Sequence, residues 1–273
     1  IPPSNLMATM QKAVLHLSVL LSLVLGLEAL SLVNAPGRTI RKIERAPRPP
    51  VETFPGINQP EDFPYWYDPR IHNWGNVGWR GRFHAFFAPL ATTIIDQVSY
   101  GGVDVRRHAK AMIPTSATVV DLACGVGFST SFGAHGVDTS REMLDIARLR
   151  RPDSTFEFGN AETFGGTKAY DVATVMFAFH EMPAAGRRRV LRNAMRIARK
   201  SVIVVDIHPD FERTLAAKPL QGQSFLSGEP YVRDYLTNMD TDFFSTALPL
   251  SGWQPRRITM LPEHVIVYRL DRI

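Results

Sequence analysis

One cysteine, Cys124, stands in 273 residues. A single thiol rules out an internal disulfide framework and fits a reducing or stromal compartment better than an extracellular one. No Cys and His set falls at zinc-ligand spacing, so no metal site is expected and metal-assisted chemistry is set aside. Acidic residues are scarce at the start of the chain. Residues 1–50 carry Lys12, Arg38, Arg41, Lys42, Arg45 and Arg48 against only Glu28 and Glu44. With a formal net charge of +5 for the whole chain, the remainder is close to neutral and lacks the basic face of a nucleic-acid binder. Apolar residues are not in short supply, and 45% of them is enough for a globular core.

Only one long apolar run exists, "AVLHLSVLLSLVLGLEALSLV" at residues 13–33. It reads as a signal-peptide core or a membrane anchor, which makes residues 1–35 a targeting or anchoring segment. Residues 36–60 are rich in arginine and proline without apolar periodicity, and form a disordered linker or transit segment. The pair resembles the bipartite plastid-targeting leaders of algae with complex plastids. A plastid location is therefore expected, with a membrane-anchored protein of the secretory pathway as the alternative. Any membrane association would run through this segment.

Residues 61–112 begin aromatic and turn-rich and then show helical spacing at Phe83, Phe86, Phe87, Leu90, Ile94, Ile95 and Val98, which makes them an N-terminal helical cap. Strands and helices alternate through residues 113–273. The strands are "ATVVDLA", "AHGVD", "TFEFGN", "YDVATVMFAF" and "KSVIVVDIHP", and the helices "SREMLDIARLR" and "AAGRRRVLRNAMRIAR". In the second helix Val190, Leu191, Ala194, Met195 and Ile197 or Ala198 should face a sheet, leaving the arginines as a solvated face. "WQPRRITMLPEHVIVYRLDRI" reads as two strands joined at Pro262 and Glu263. The fold class is α/β: a Rossmann-like, doubly wound, mostly parallel sheet with a terminal antiparallel hairpin and an N-terminal helical cap.

The chemistry concentrates in "VVDLACGVGFSTSFGAHGVD". A strand runs into a Gly-X-Gly turn, and the next strand ends on Asp138. Gly125 and Gly127 let the backbone turn sharply and approach a ligand, while Asp138 can accept from two ribose hydroxyls. A dinucleotide site would want a third glycine where Thr130 stands. The motifs "VVDLACGVG", "GVDTSREMLDIAR", "FGNAETF" and "YDVATVMFAFHEMP" follow one another at strand ends. Over residues 118–209 they resemble the class I S-adenosylmethionine-dependent methyltransferases, nearest the small-molecule quinone and sterol methylases.

That resemblance implies S-adenosylmethionine as cofactor, with Asp121 and the Gly125–Gly127 turn on its methionine portion and Asp138 on its ribose. It puts Asn160 and Ala161 at the adenine edge and Met143 on an adenine face. Ala123, Thr139 and Glu162 complete the cofactor-binding set, and Phe177 and Phe179 border the methyl-transfer chamber. Where that group has a full helix between Gly127 and Asp138, this chain has only "FSTSFGAHGV", so its first helix should be a stub.

Methyl transfer is an in-line displacement and needs alignment rather than a covalent intermediate. A hydroxyl acceptor needs a base, and His180, just past a strand end, is the candidate, with Glu181 to orient its imidazole. Both residues could instead only shape the turn before Pro183, and His208 is a second candidate base. The acceptor should be a small molecule, apolar or aromatic if Tyr65, Trp66, Tyr67, His72, Trp74, Trp79 and His84 of the cap line its site. The same rings could instead be the core of the cap. Two other readings remain: a nucleotide-dependent oxidoreductase, and a catalytically silent methyltransferase-like binding subunit.

Overall fold

The computed structural model describes residues 64–68, 70–71, 75–212, 229–249 and 252–273. All of them belong to one compact unit, Pro55–Ile273. The apolar run, the linker, His72 and Trp74 lie outside the described residues.

Seven strands form one sheet: β1 Val119–Leu122, β2 His135–Asp138, β3 Thr155–Phe158, β4 Tyr170–Met176, β5 Ala198–Ile207, β6 Trp253–Leu261 and β7 Val265–Arg272. Their order is β3-β2-β1-β4-β5-β7-β6. The first five pair parallel, while β7 lies antiparallel between β5 and β6. β4 and β5 read "YDVATVM" and "ARKSVIVVDI" and are buried along nearly their whole length, as strands covered on both faces must be. The hairpin turns at residues 262–264, as the Pro262–Glu263 pair indicates. Strand order reverses between β1 and β4, and in open α/β sheets ligands bind at the carboxyl ends of the strands beside that point.

Among the described residues five helices accompany the sheet: α1 Gly78–Val98, α2 Val105–Lys110, α3 Arg141–Arg150, α4 Ala184–Ile197 and α5 Val232–Ala247, with α1 packed on α3. One face receives Val190, Leu191 and Ala194 of α4 and Tyr235, Met239 and Phe243 of α5 against Val120, Leu122 and Val175. The other receives Val105 and Ala109 of α2 against Val119, Val172, Ile203 and Val267. The apolar residues expected to face the sheet from α4 are all buried.

Its arginines form the expected solvated face only in part: Arg192 and Arg196 are exposed, but Arg187, Arg188 and Arg189 turn to acids. Arg187 is 1% exposed, donates to Asp242 (2.5 Å), Asp234 (2.7 Å) and the Met182 carbonyl (2.8 Å), and lies over the Tyr235 ring. Arg188 pairs with Asp242 and Arg189 with Glu162. The acids that draw these side chains inward sit tens of residues away in sequence, on α5 and on the loop after β3, where a helical pattern has no means of registering them.

The crossover from β1 to β2 departs further from expectation. Residues 123–134 contain turns and no helix, so the expected stub is absent. Twelve residues must span two adjacent parallel strands, and that length leaves no room for a helix that could also pack on the sheet. The loop is held from outside. Arg106 of α2 donates to Ser129 Oγ (3.2 Å), Arg151 donates to the Thr130 carbonyl, and Ser154 donates to the Ser131 carbonyl (3.1 Å).

Candidate cofactor and acceptor site

Asp138, last residue of β2, organises the mouth of the sheet. Its carboxylate accepts from the Gly125 amide (2.8 Å) and the Ser140 amide (2.8 Å), which ties the glycine turn to the start of α3. The helix cap is Ser140, whose hydroxyl accepts from the Met143 amide (3.1 Å). Burial pushes the Asp138 carboxyl up to about 6 against the pull of those two amides, with Glu181 and Asp121 adding to the rise. A carboxyl so placed gives up its proton readily once hydroxyl donors arrive.

Gly125 and Gly127 have φ of 53° and 70°, the left-handed region where a side chain is strained. A Cβ at Gly127 would also press on Phe156 (3.2 Å) and Ala147 (3.3 Å). Ala123 reaches the same region without being glycine (φ 56°), at a strain typical of ligand-binding turns. Asp121 is fully buried beneath the turn, and its two oxygens accept from Thr130 (2.7 Å) and Thr174 (2.8 Å). Burial raises its pKa. Thr130, where a dinucleotide fingerprint has its third glycine, thus supplies a hydroxyl to a buried acid. Cys124 is buried, and its thiol pKa is driven up by burial, as suits a packed side chain.

The remaining cofactor-binding candidates spread around this mouth. Met143 packs with Val126 of the turn and Ala85 of α1, and Thr139 is half-buried beside Asp138. Asn160 accepts from the Glu162 amide (2.8 Å), and the Ala161 carbonyl accepts from Asn193 (2.8 Å). The Glu162 side chain points elsewhere, accepting from Tyr65 (2.9 Å) and Arg189 (2.7 Å). Its role in the described structure is to join the cap to α4.

Beyond β4 and β5 lies a second cluster. Phe177 (φ 56°) follows β4, with Arg106 over its ring (4.4 Å) and Tyr100 stacked alongside (6.4 Å). Phe179 is 1% exposed and belongs to the core. His180 lies in a 3-10 turn, Phe179–Glu181, and its Nδ1 donates to Asp206 (2.6 Å). The carboxylate of Asp206, at 0% exposure, also accepts from the amides of Phe179, His180 and Ile207. Asp206 thus orients the imidazole through Nδ1, a partner additional to the Glu181 expected from the sequence. Glu181 stands 3.8 Å from Nε2. Burial lowers the His180 pKa, but the charge and hydrogen bond of Asp206, helped by Glu181 and Glu229, outweigh it and push it up to about 9. His208, the second candidate base, is buried and turned to its own loop, accepting from the Asp210 amide (3.0 Å).

Asp206, Tyr100 and Arg106 are absent from the sequence-based set. An acid ending β5 two residues before His208 was a usable signal for the first. The other two lie in the cap, where nothing in the pattern ties them to β4. Of the cap aromatics, Tyr65 packs on Tyr231 and against Gly186 of α4, and Trp79 is 61% exposed. Tyr65 belongs to one core cluster and Phe177 packs against another. Among the described residues no group of three or more His, Cys, Asp or Glu could hold a metal ion.

The described donors fit S-adenosylmethionine: an acid poised near 6 beside a left-handed glycine turn, and backbone carbonyls and amides after β3. Residues 119–201 match the methyltransferase domain family. A Streptomyces fradiae dTDP-3-amino-3,6-dideoxy-alpha-D-glucopyranose N,N-dimethyltransferase is 36% identical over 27% of this chain and 30% of its own. A Thermotoga maritima demethylmenaquinone methyltransferase is 27% identical over 46% of this chain and 63% of its own. The chain thus spans less than two thirds of either curated relative. A solved S-adenosylmethionine-dependent methyltransferase from Mesorhizobium loti superposes with a TM-score of 0.44 at 16% identity, over 61% of this chain and 96% of that one. Over residues 119–201, then, the chain is similar to a methyltransferase domain.

Proposed function

We propose that this protein transfers a methyl group from S-adenosylmethionine to a small-molecule acceptor at the carboxyl ends of β1, β2, β4 and β5. The observation that carries the reading is Asp138, which closes the glycine turn through Gly125 and stands at the strand end where an acid receives ribose hydroxyls. S-adenosylmethionine supplies an electrophilic methyl group on a sulfonium. The chain's own part is to hold Asp138 ionised against that ligand, to shape the turn through Gly125 and Gly127, and to border the acceptor with Phe177, Tyr100 and Arg106. The His180–Asp206 pair governs any proton the acceptor must lose. Held charged at neutral pH, His180 becomes a competent base only as pH approaches 9, so a phenol or enol acceptor should turn over faster with rising pH.

An aminosugar and a quinone appear in the names of the two relatives, which supports a small acceptor in this chain too. An apolar acceptor, import into a plastid, and membrane association through residues 1–35 are proposals that rest on sequence alone. Calorimetry with S-adenosylmethionine and S-adenosylhomocysteine tests the cofactor, and transfer of a labelled methyl group to a panel of phenols, amines and quinones tests the reaction. No binding of either nucleoside would overturn the proposal. Binding without transfer to any of the panel would favour a silent binding subunit.

A further inference from the structure

α1 packs on α3 and on the glycine turn and keeps a row of large apolar side chains in the open. The side it turns to the domain carries small residues, Gly81, Ala85 and Ala88, spaced four and three apart. Ala85 is fully buried and, with Ala88 beside it, packs against Val126 and Met143. Phe83, Phe87 and Ile94 are half-buried at its flanks, while other bulky residues face outward. Trp79, Phe86 and Leu90, seven and four apart and hence on one face, are 61%, 68% and 50% exposed. Large apolar side chains in a row on a surface mark an interaction site.

The charges around that row narrow the occupant. Arg80 and Arg82 flank it, with Arg80 over the Trp79 ring (5.5 Å). The only acid in the 21 residues of α1 is Asp96, and it is engaged by Arg106 (2.6 Å) near the domain. A second copy docking by a two-fold axis would set this patch against itself. Its arginines would then face arginines, while the one acid of α1 is held by Arg106 and Glu142 beside its start is turned to the Gly78 amide. An anionic lipid surface satisfies both features, because headgroups pair with the arginines while tryptophan, phenylalanine and leucine enter the acyl boundary.

We propose that the outer face of α1 is a docking surface for an anionic membrane. The helix would lie in the interface with Trp79, Phe86 and Leu90 inserted. Its inner face rests on the glycine turn, so docking would bring the cofactor mouth close to the bilayer. The proposal stands on α1 alone and does not depend on methyl transfer or on residues 1–35.

A spin label reads the face directly, since the native thiol, Cys124, is buried. The full chain carrying Phe86→Cys is labelled and mixed with vesicles of equal parts phosphatidylcholine and phosphatidylglycerol. A Lys200→Cys label, at a 67% exposed side chain, is the control. The expected result is that position 86 gains collisions with oxygen and loses them with an aqueous nickel chelate, while position 200 stays in water. Pure phosphatidylcholine and the added pair Arg80→Glu and Arg82→Glu should each weaken the effect at least several-fold. The proposal is overturned if vesicles do not bind, or if they bind while position 86 stays aqueous, which would leave another segment as the anchor. It is equally overturned if position 86 is shielded from both quenchers without vesicles, which would mean that the chain itself or a second copy covers the face.

Discussion

Replacing Asp138 by Asn removes one negative charge from the point where the glycine turn, β2 and α3 meet. The carboxylate serves the Gly125 and Ser140 amides at once, one on each oxygen. An asparagine can satisfy only one of them and turns its NH2 toward the other. Two ribose hydroxyls would then lose a charged acceptor, at about 1.5–3 kcal/mol each where such bonds are favourable. Since the asparagine oxygen still accepts one of them, we expect S-adenosylhomocysteine affinity to fall by roughly 100-fold, or about 2.7 kcal/mol. The wild type has its own pH signature. With the carboxyl pushed up to about 6 by burial, only about a tenth of it is ionised at pH 5 in the free protein, so affinity should weaken about tenfold between pH 7 and 5. Asp138→Asn should abolish that dependence. Glu181→Gln should move its midpoint downward, because the Glu181 charge contributes to the rise. Calorimetric titrations at pH 5, 6, 7 and 8 decide the matter. A wild-type affinity flat across that range, or an Asn variant binding as tightly as wild type, would refute this role for Asp138.

Three further outcomes follow from the same geometry. Arg187→Ala should cost about 3–5 kcal/mol in urea unfolding by leaving Asp242 buried without its main partner, and Arg187→Met should cost clearly less if packing carries part of the effect. His180, raised from 6.5 to about 9, stabilises the fold fully below pH 6.5 and loses that contribution as pH rises through 9. It amounts to on the order of 3 kcal/mol, and an unfolding curve for His180→Gln that keeps the wild-type slope between pH 6.5 and 9.5 would show that the pairing does not matter. Residues 7–60 fused to a fluorescent protein should yield a shortened, plastid-located product, whereas an uncleaved product in the membrane pellet would establish an anchor instead.

What the sequence reveals is local, and what it hides is reached across the fold. Strand and helix positions follow from periodicities of two and 3.6, and the strand-end positions of Gly125, Asp138 and His180 follow from them. The antiparallel hairpin is legible from its turn at Pro262. The partner of His180 is legible only as an acid near a strand end, because Asp206 lies 26 residues away and the β4–β5 register alone brings it to 2.6 Å. Arg187 likewise reads as a surface residue on a helical wheel, since its acids come from α5. The expected stub helix fails for a plain reason of length, as residues 123–134 are consumed in turning and crossing.

That short crossover shifts the support of the glycine turn onto cations from neighbouring helices, and the consequence is measurable. A full helix after the turn would fix the turn by its own hydrogen bonds. Here Thr130 is fixed on one side by its hydroxyl to Asp121 (2.7 Å) and on the other by Arg151, which donates to its carbonyl and is itself held by Asp153 (2.6 Å). Ser129 is fixed by Arg106 (3.2 Å). A charged hydrogen bond to a carbonyl is worth about 1.5–3 kcal/mol when buried and less when partly exposed. Arg151→Ala should therefore loosen residues 125–131 and weaken S-adenosylhomocysteine binding by about tenfold. Amide exchange should accelerate in that loop and leave β4 and β5 unchanged. Asp153→Asn, which only releases the arginine, should have a smaller effect on both readouts. If Arg151→Ala lowers global stability while affinity and loop exchange stay at wild-type values, the arginine braces the end of α3 and the glycine turn stands without it.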